Sequence, residues 1–381
     1  MAQPLRQTLR HALLRGPLEY AWAARRGRQL DRAYCAHLLN GSKAPVAAGA
    51  APAIGTTGTL RQILLIADCL WEQNSLVPEL LRIAPTCVLD LHPQLKNRPS
   101  ETPEPAWVAQ AINNFAGAKT CPAPDAVLFY VRPALLSEEV FDTLRRAWHG
   151  PLLGLNLDDK LQYFSYAILA DGNDDYARWA GRFDLNLTSS VAAKDWYRQR
   201  GHACIYIPPG VHQPPNLTPP DVASFKYDFS FVGAKRVERV ALVERLQRDG
   251  IPVQLFGRGW PDSRWVEDLN DVYRHSQLNL GIGFPTPSAS LTNLKGRDFE
   301  CPGAGACYLT TYNWELPLHY ELGKEILCYR SVEELIELYA FYRKRPEECL
   351  RIAQAAWRRC MAEHTWEQRF RKVFQVLGFR T

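Results

Sequence analysis

The run "QILLIAD" at residues 62–68 decides the fold class of this 381-residue chain. Its apolar residues are consecutive rather than alternating, which is typical of a strand covered on both faces. Segments with helical spacing follow, such as "SEEVFDTLRRAW" at 137–148, where Ser137 is a predicted helix cap. Strands that alternate with helices predict an α/β fold with a doubly wound parallel sheet. Further strand-like runs lie at 86–92, 125–132, 151–159, 183–190 and 203–210.

The pattern restarts after a proline-rich connection. The stretch "PPGVHQPPNLTPP" at 208–220 holds six prolines in thirteen positions, which predicts an extended segment. Strand-like runs then return, from "YDFSFVG" at 227–233 to "EILCYR" at 325–330, and the chain ends in helical segments. We therefore expect two Rossmann-like domains that face a cleft, with ligands at the carboxyl ends of both sheets.

These signals divide the chain into four segments. Residues 1–59 form a basic helical segment and a linker, 60–215 the first Rossmann-like domain, and 216–364 the second. Residues 365–381 form a last helix that we expect to cross back onto the first domain. Its apolar residues recur at helical spacing and predict a core stripe rather than a partner-binding face: Trp366, Phe370, Val373, Phe374 and Leu377.

Composition excludes several classes of protein. Hydrophobic residues make up 46% and charged residues 22% of the chain, so neither a disordered nor a fibrous architecture is indicated. The net charge is +5, but bases and acids are interleaved over most of the length. Because a nucleic-acid surface needs clustered bases, we expect no nucleic-acid partner, whereas small anions fit this balance.

The N-terminus is the exception to this interleaving. Residues 1–33 carry seven arginines and only two acids, Glu19 and Asp31. Two interpretations stay open: a helix on an anionic membrane surface, or a helix docked on the protein with an arginine-rich solvent face. Charges interrupt any secretory signal, and no apolar run could span a bilayer. We expect a cytoplasmic protein, with peripheral contact at the inner face of the cytoplasmic membrane as the open alternative.

The ten cysteines are scattered singly, most of them inside apolar runs. None has the spacing of a zinc site, so we interpret them as reduced, buried thiols of the cytosol. The acidic stretch "DGNDD" at 171–175 does not form a metal-binding Asp-x-Asp pattern either. The sequence therefore predicts neither a metal nor a cofactor.

Three charged residues crowd the start of the stretch "LKGRDFECPGAGACYLTT" at 294–311. Ser290 and Thr292 are candidate N-caps, so we expect a helix from about 292 to 302. Unpaired amides in its first turn would seat a phosphate, and Lys295 and Arg297 would add positive charge. Glu300 could accept hydrogen bonds from ribose hydroxyls. On motif grounds alone, a solvated helix face explains these charges as well.

Two glycines follow this helix. Gly303 and Gly305 would let the backbone approach a ligand closely before the next strand begins.

Residues 294–370 resemble the C-terminal domain of CgeB-like glycosyltransferases, within the larger group 1 of two-domain GT-B enzymes. The resemblance depends on "RDFE" before the glycines, "GKEILCYRS" at 323–331, the "EEL" helix and the closing "HTW". It implies a GT-B fold and a nucleotide-sugar donor bound mainly by the C-terminal domain. It also implies an acceptor held by the N-terminal domain, and a retaining reaction that needs no metal ion.

The resemblance also assigns site residues. Glu300 matches the glutamate that holds the donor ribose, the second in the group's Glu-x7-Glu pattern. The first position of that pattern is Thr292 in this chain, which puts the contacts to the donor sugar in doubt, though not nucleotide binding.

Other candidates have two interpretations each. Gly233 ends a strand before a basic run that includes Arg239, so it forms either a diphosphate-binding turn or an ordinary strand-to-helix turn. Gly257 and Gly259 either border a nucleobase pocket or belong to a plain loop.

The first domain supplies acceptor candidates. Asp158 and Asp159 end a strand and could orient an acceptor hydroxyl or act as a base, although helix capping explains them as well. Asp68 and Trp71 follow the first strand and could contact the acceptor. His212 in the proline-rich connection and His364 near the last helix are interpreted as structural.

The leading hypothesis is a glycosyltransferase that moves a sugar from a nucleoside diphosphate to a glycan or lipid-linked acceptor. Lys295, Arg297 and the helix N-terminus would stabilise the departing diphosphate. Two alternatives stay open: a nucleotide-sugar epimerase of the same architecture, and a non-catalytic nucleotide-sugar-binding protein in surface glycan assembly. Conversion of the donor into a different sugar nucleotide without an acceptor would favour the first alternative, and nucleotide binding without turnover the second.

Overall fold

The computed structural model describes Arg25, Arg32 and residues 58–68, 72–163, 176–212, 220–260, 268–283 and 292–381. The chain forms two compact units. The first unit comprises Asn40–Leu217, Leu294–Gly303 and Arg358–Thr381. The second unit is built on Thr218–Asn293 and Ala304–Trp357. The segment with Lys295, Arg297 and Glu300 therefore belongs to the first unit, whereas the sequence placed it within a domain of residues 216–364.

The first unit is built on a six-stranded parallel sheet with the order β3-β2-β4-β5-β6-β7. All five residues of β2 and of β5 are buried, as their uninterrupted apolar sequences predict for strands covered on both faces. The strands of this part of the chain are β1 (Gly58–Thr59), β2 (Ile63–Ala67), β3 (Thr86–Asp90), β4 (Ala126–Tyr130), β5 (Leu152–Asn156), β6 (Leu185–Thr188) and β7 (Cys204–Tyr206).

Helices connect these strands. Side-chain oxygens of Asp90, Ser137 and Ser190 cap three of them by accepting hydrogen bonds from amides in the first turn. The predicted helix start at Ser137 is therefore confirmed. The helices are α1 (Leu76–Leu81), α2 (Leu91–Lys96), α3 (Glu104–Ala118), α4 (Glu138–Ala147), α5 (Asp159–Gln162) and α6 (Val191–Gln199).

The second unit contains a five-stranded parallel sheet with the order β12-β11-β10-β8-β9. Its core combines residues of the strands with the apolar faces of the flanking helices, including Phe231, Leu246 and Leu335. The elements are β8 (Tyr227–Val232), α7 (Val237–Arg248), β9 (Gln254–Phe256), α8 (Leu269–Arg274), β10 (Ser276–Leu280), β11 (Tyr308–Thr311), β12 (Leu327–Tyr329) and, after β12, a helix at Val332–Tyr342.

Four more elements complete the chain. The short helix α9 (Arg297–Gly303) lies between β10 and β11 in sequence, and the helix at Val332–Tyr342 is therefore α10. Two further helices and a strand follow: α11 (Pro346–Glu363), α12 (Trp366–Val376) and β13 (Phe379–Arg380).

Helix α12 packs into the core of the first sheet, which confirms the predicted return of the last helix to the first domain. Thr365 and Gln368 form a capping box at its start. Its predicted apolar stripe is buried together with strand residues such as Leu65 and Leu128. Beyond α12, β13 pairs with β1 in parallel, so the chain end is held beside the start of the first unit.

One expectation about the cysteines is wrong. Cys87 in β3 forms a disulfide with Cys121, which follows α3. The sequence showed only single, scattered cysteines, and a pairing over 34 positions depends on tertiary contacts that spacing does not reveal. Six other cysteines of the described chain are free thiols, four of them buried: Cys301, Cys307, Cys349 and Cys360.

Within the described ranges, none of the helices has the length and apolar character needed to cross a membrane.

Candidate functional site

The carboxyl edge of the first sheet carries several of the predicted site residues. Asp68 directly follows β2, and Asp158 follows β5 after a short turn in which the Asp158 amide donates to Oδ1 of Asn156 over 3.0 Å. Parallel strands end at one edge of a sheet, so these carboxylates lie at the edge where ligands bind in such folds.

Lys295 and Asp158 are in direct contact. Nζ of Lys295 donates a hydrogen bond to Oδ1 of Asp158 over 3.2 Å. The side chains are 21% and 42% exposed, so both remain accessible to a ligand. An ammonium group has three donors, and this contact uses one of them. Two residues that the sequence proposed separately for catalysis therefore form one charged pair.

The segment around Lys295 differs from the predicted helix. Helix α9 begins at Arg297, so Lys295 precedes it and Thr292 is not its cap. The Lys295 amide donates to Oδ2 of Asp298 over 2.7 Å, and the amides of Phe299 and Glu300 donate to the carbonyl of Gly296. These three amides are therefore already bonded, and the helix whose first turn was predicted to seat a phosphate begins five residues later than expected.

The later start of the helix has its physical reason in two residues, Asp298 and Gly296, for which the sequence predicted no role. Asp298, which is 3% exposed, stands three positions after Lys295, which is the spacing at which a side chain closes a tight turn. Gly296 lets the Glu300 carboxylate lie close to the backbone, since an added Cβ would lie 2.7 Å from Oε1 of Glu300. The pattern "KGRD" is the signal that could have predicted this turn.

Glu300 sits in the first turn of α9, half-buried and beside Arg297. Burial raises the pKa of the Glu300 carboxyl, and the nearby positive charge of Arg297 opposes this effect. Lys295, Arg297 and Glu300 thus lie on one short segment of the first unit.

The glycines after α9 have structural functions. A Cβ on Gly303 would lie 2.6 Å from Cγ2 of Val211, so this glycine permits close packing within the first unit. Gly305 has a φ of +75°, which ends the helix before β11. Neither observation requires a ligand at these two positions.

Buried residues anchor α9 in the first unit. Phe299 is fully buried, and its ring meets the imidazole of His364 edge-on with centroids 5.4 Å apart. The guanidinium of Arg369 lies 4.8 Å from the same ring. Sγ of Cys360 approaches the Phe299 carbonyl at 3.8 Å. The predicted structural interpretation of His364 agrees with this packing.

Asp159 occupies a very different environment from its neighbour Asp158. It is fully buried, and the hydroxyl of Tyr197 donates to its Oδ1 over 2.8 Å. Burial raises the pKa of Asp159 to about 7, although hydrogen bonds from Thr188 and Tyr197 work against the shift. Because the carboxyl is enclosed, we do not propose a direct contact between Asp159 and an acceptor.

A second group of predicted residues lies at the carboxyl ends of β8 and β9, in the second unit. Gly233 and Gly257 are closely apposed, since a Cβ on Gly257 would lie 2.6 Å from the carbonyl oxygen of Gly233. Nε1 of Trp260 donates to the same carbonyl over 2.8 Å, and the Lys235 amide donates to the carbonyl of Arg258. The two strand ends are thus joined by backbone contacts that leave no room for side chains.

Arg239 stabilises the turn that follows β8. Its guanidinium donates to the carbonyl of Ala234 over 2.7 Å and lies 5.6 Å from the centre of the Phe231 ring. Only 7% of the residue is exposed. Its observed contacts therefore fix the strand-to-helix turn that contains Gly233.

Several predicted residues lie outside the described residues. They are Ser290, Trp71, the acidic stretch 171–175, the linker up to residue 57 and, apart from Arg25 and Arg32, the basic N-terminal segment. Among the residues that are described, no group of three or more His, Cys, Asp and Glu side chains could hold a metal ion.

Comparison with known families gives a match to one family model. Residues 236–375 match the model described as glycosyl transferase-like, and this range includes Lys295, Arg297 and Glu300. No curated protein sequence matches the chain.

Solved structures share the fold. Sucrose-phosphate synthase from Thermosynechococcus elongatus superposes with a TM-score of 0.60 at 12% identity, over 83% of this chain and 98% of that one. HepE of Anabaena, solved in complex with UDP and glucose, gives a TM-score of 0.56 at 13% identity, over 83% and 99% of the two chains. The chain therefore has the GT-B fold with two Rossmann-like units, which confirms the predicted fold class.

Proposed function

We propose that the chain is a glycosyltransferase that moves a sugar from a nucleoside diphosphate to a glycan or lipid-linked acceptor. The observation that carries this proposal is the glycosyl transferase-like match over residues 236–375. The GT-B fold agrees with it, because this fold supplies two parallel sheets whose carboxyl edges are suited to ligands.

A nucleotide sugar is the proposed donor substrate. HepE, which shares the fold, was solved with UDP and with UDP-glucose, and this supports a nucleotide ligand for the same fold here. In our proposal Glu300 accepts hydrogen bonds from the ribose hydroxyls.

Catalysis in this proposal depends on positive charge rather than on a metal ion. Lys295 and Arg297 stabilise the diphosphate as it departs, in place of the amides that α9 already uses internally. Asp158 accepts one hydrogen bond from Lys295 and so fixes the direction of the ammonium group, whose two other protons remain for phosphate oxygens.

The stereochemistry and the location of the reaction are also proposals. The resemblance to group 1 glycosyltransferases supports retention of the anomeric configuration, in which the acceptor attacks from the side of the leaving group. We place the protein in the cytoplasm, with the arginine-rich residues 1–33 as the segment that contacts an anionic membrane.

A nucleotide screen tests the proposal. Thermal unfolding is measured with UDP, GDP, ADP, CMP and dTDP, because a ligand that binds only the folded state raises the unfolding temperature. For a nucleotide that stabilises the protein, a panel of its sugar conjugates is then assayed for hydrolysis. We expect one nucleotide to stabilise the protein and one of its sugar conjugates to be hydrolysed slowly. If no nucleotide binds and no conjugate turns over, the proposal is wrong.

A further inference from the structure

A histidine and an aspartate meet at the carboxyl edge of the first sheet. Nδ1 of His92, in the first turn of α2, lies 2.8 Å from Oδ1 of Asp68, which follows β2. Their side chains are 30% and 25% exposed, respectively. The pair is therefore accessible from solvent but partly enclosed, as expected for groups that meet a ligand.

The contact determines which ring nitrogen can receive a ligand. An ionised carboxylate only accepts hydrogen bonds, so in the neutral imidazole the proton resides on Nδ1 and Nε2 carries a lone pair. Within the described part of the chain, no contact of Nε2 is observed. In that form His92 presents an oriented hydrogen-bond acceptor at the protein surface.

A second carboxylate holds this arrangement in place. Oδ1 of Asp90 accepts from the His92 amide over 2.8 Å, and its Oδ2 accepts from Nε2 of Gln73 over 3.0 Å. The backbone that carries His92 is thus fixed before any ligand arrives, which is the condition for a preorganised site.

The position in the sheet favours a ligand site. Strand β2 has β3 on one side and β4 on the other, so the direction in which strands are added reverses at β2. Ligands of open α/β sheets bind at the carboxyl edge beside such a reversal. Asp68 stands at the end of β2 itself.

We propose that His92 and Asp68 form the binding site for a sugar hydroxyl of the acceptor, with Nε2 of His92 as the atom that accepts its hydrogen bond. Asp68 is the positioning residue, because it acts through the orientation of the imidazole. The site offers hydrogen-bond acceptors, namely the lone pair of Nε2 and the carboxylate oxygens. It therefore suits ligands with many hydroxyl groups, because hydroxyls donate hydrogen bonds. The inference rests on the proposed glycosyltransferase function and specifies its acceptor as one that ends in a carbohydrate.

Ligand-observed NMR on the full chain tests this site. The probes are the methyl glycosides of glucose, galactose, mannose and N-acetylglucosamine. We expect at least one of them to bind the wild type, and His92→Ala to weaken its binding by at least tenfold. The control is His149→Ala, an exposed histidine in the loop before β5 at the opposite edge of the same sheet, which leaves the affinity unchanged.

The NMR chemical shifts of the His92 ring nitrogens show whether Asp68 acts by orienting the imidazole or only by supporting the fold. In the wild type the His92 ring should be protonated at Nδ1, and the bound glycoside should shift the Nε2 resonance. Asp68→Asn should increase the Nε2-protonated form and weaken glycoside binding. If no glycoside binds the wild type, or if His92→Ala binds within twofold of it, the inference is wrong. The nucleotide screen decides the donor function independently of either result.

Discussion

Nζ of Lys295 lies 3.2 Å from Oδ1 of Asp158, although the two residues are 137 positions apart in the chain. The contact joins the turn before α9 to the end of β5 within one compact unit. Ion pairs between partly exposed side chains contribute only about 0.2–1 kcal/mol to stability. The pair is therefore better explained as a device that orients the ammonium group than as one that holds the fold together.

We predict that Lys295→Met lowers the rate of donor turnover by about 100-fold, because a preorganised donor of positive charge is lost from the leaving group. Lys324→Met is the matched control, since Lys324 is an exposed lysine that also pairs with a carboxylate, Glu321. The turnover rates of both variants are measured by steady-state kinetics, with the sugar nucleotide that the wild type hydrolyses as the substrate. A rate for Lys295→Met within twofold of the wild type would contradict the assigned role.

Glu300→Ala should abolish the thermal stabilisation by nucleotide while leaving the fold intact. The ribose hydroxyls donate stronger hydrogen bonds to an ionised carboxylate than to a neutral carboxyl, and the raised pKa of Glu300 means that its carboxyl is protonated at a higher pH than an ordinary glutamate. Nucleotide affinity should therefore begin to fall above pH 4.5 as the solution is acidified. Glu337→Ala, an exposed glutamate on α10, is the control. An unchanged shift in Glu300→Ala would show that the ribose assignment is wrong.

The first sheet could be predicted because its signals are local. Strands such as β2 and β5 are buried on both faces, so their sequences are apolar without alternation, and the predicted runs at 62–68 and 151–159 contain them. The stripe of α12 was also predictable, since burial of one helix face produces a period of 3.6 residues. These features depend only on how each segment is buried.

The site could be predicted only in part, because its details depend on side chains that compete for the same partners. Asp298 bonds the Lys295 amide, and this moves the start of α9 to Arg297. Asp158 and Asp159 are adjacent in sequence, yet one pairs with Lys295 and the other is enclosed beside Tyr197. Such differences arise from tertiary contacts, which a sequence pattern does not reveal.

Gly257→Ala should destabilise the protein. The φ of Gly257 is +117°, and its new Cβ would lie 2.6 Å from the carbonyl oxygen of Gly233, so the two strand ends must separate. Gly250→Ala is the control, because Gly250 also has a positive φ but has open space around it. Backbone strain alone costs about 1–2 kcal/mol. Thermal unfolding should show a larger loss of stability for Gly257→Ala than for Gly250→Ala, and equal losses would contradict the close approach of Gly257 to the carbonyl of Gly233.

The disulfide between Cys87 and Cys121 should stabilise the oxidised protein. It closes a loop with a sequence separation of 34, and the loss of chain entropy in the unfolded state is worth on the order of 4 kcal/mol for a loop of this size. Cys121→Ser should therefore lower the unfolding temperature in oxidising buffer but should match the wild type in reducing buffer. Equal unfolding temperatures in oxidising buffer would show that the bond does not form. Cys328→Ser, at a free thiol in β12, controls for the substitution itself.

Asp159→Asn should make the protein more stable than the wild type at pH 8, with a difference that shrinks as the pH falls. The pKa of Asp159 is raised from 3.8 in its ordinary state to about 7 in the fold, so folding disfavours the ionised carboxyl. Between these two pH values the folded state holds a proton that the unfolded state has released, and stability therefore falls as the pH rises. Above pH 7 the full penalty applies, and a difference of about three pKa units corresponds to about 4 kcal/mol.

An asparagine at position 159 removes this penalty because it does not ionise, and its carbonyl oxygen can still accept the hydrogen bond from Tyr197. Chemical unfolding of Asp159→Asn and wild type at pH 5, 6, 7 and 8 gives the difference directly. Asp195→Asn, at an exposed carboxylate on α6, should show no comparable trend. If the difference between Asp159→Asn and the wild type does not grow from pH 5 to pH 8, the carboxyl is not held in a buried, protonated state, and burial does not control its ionisation.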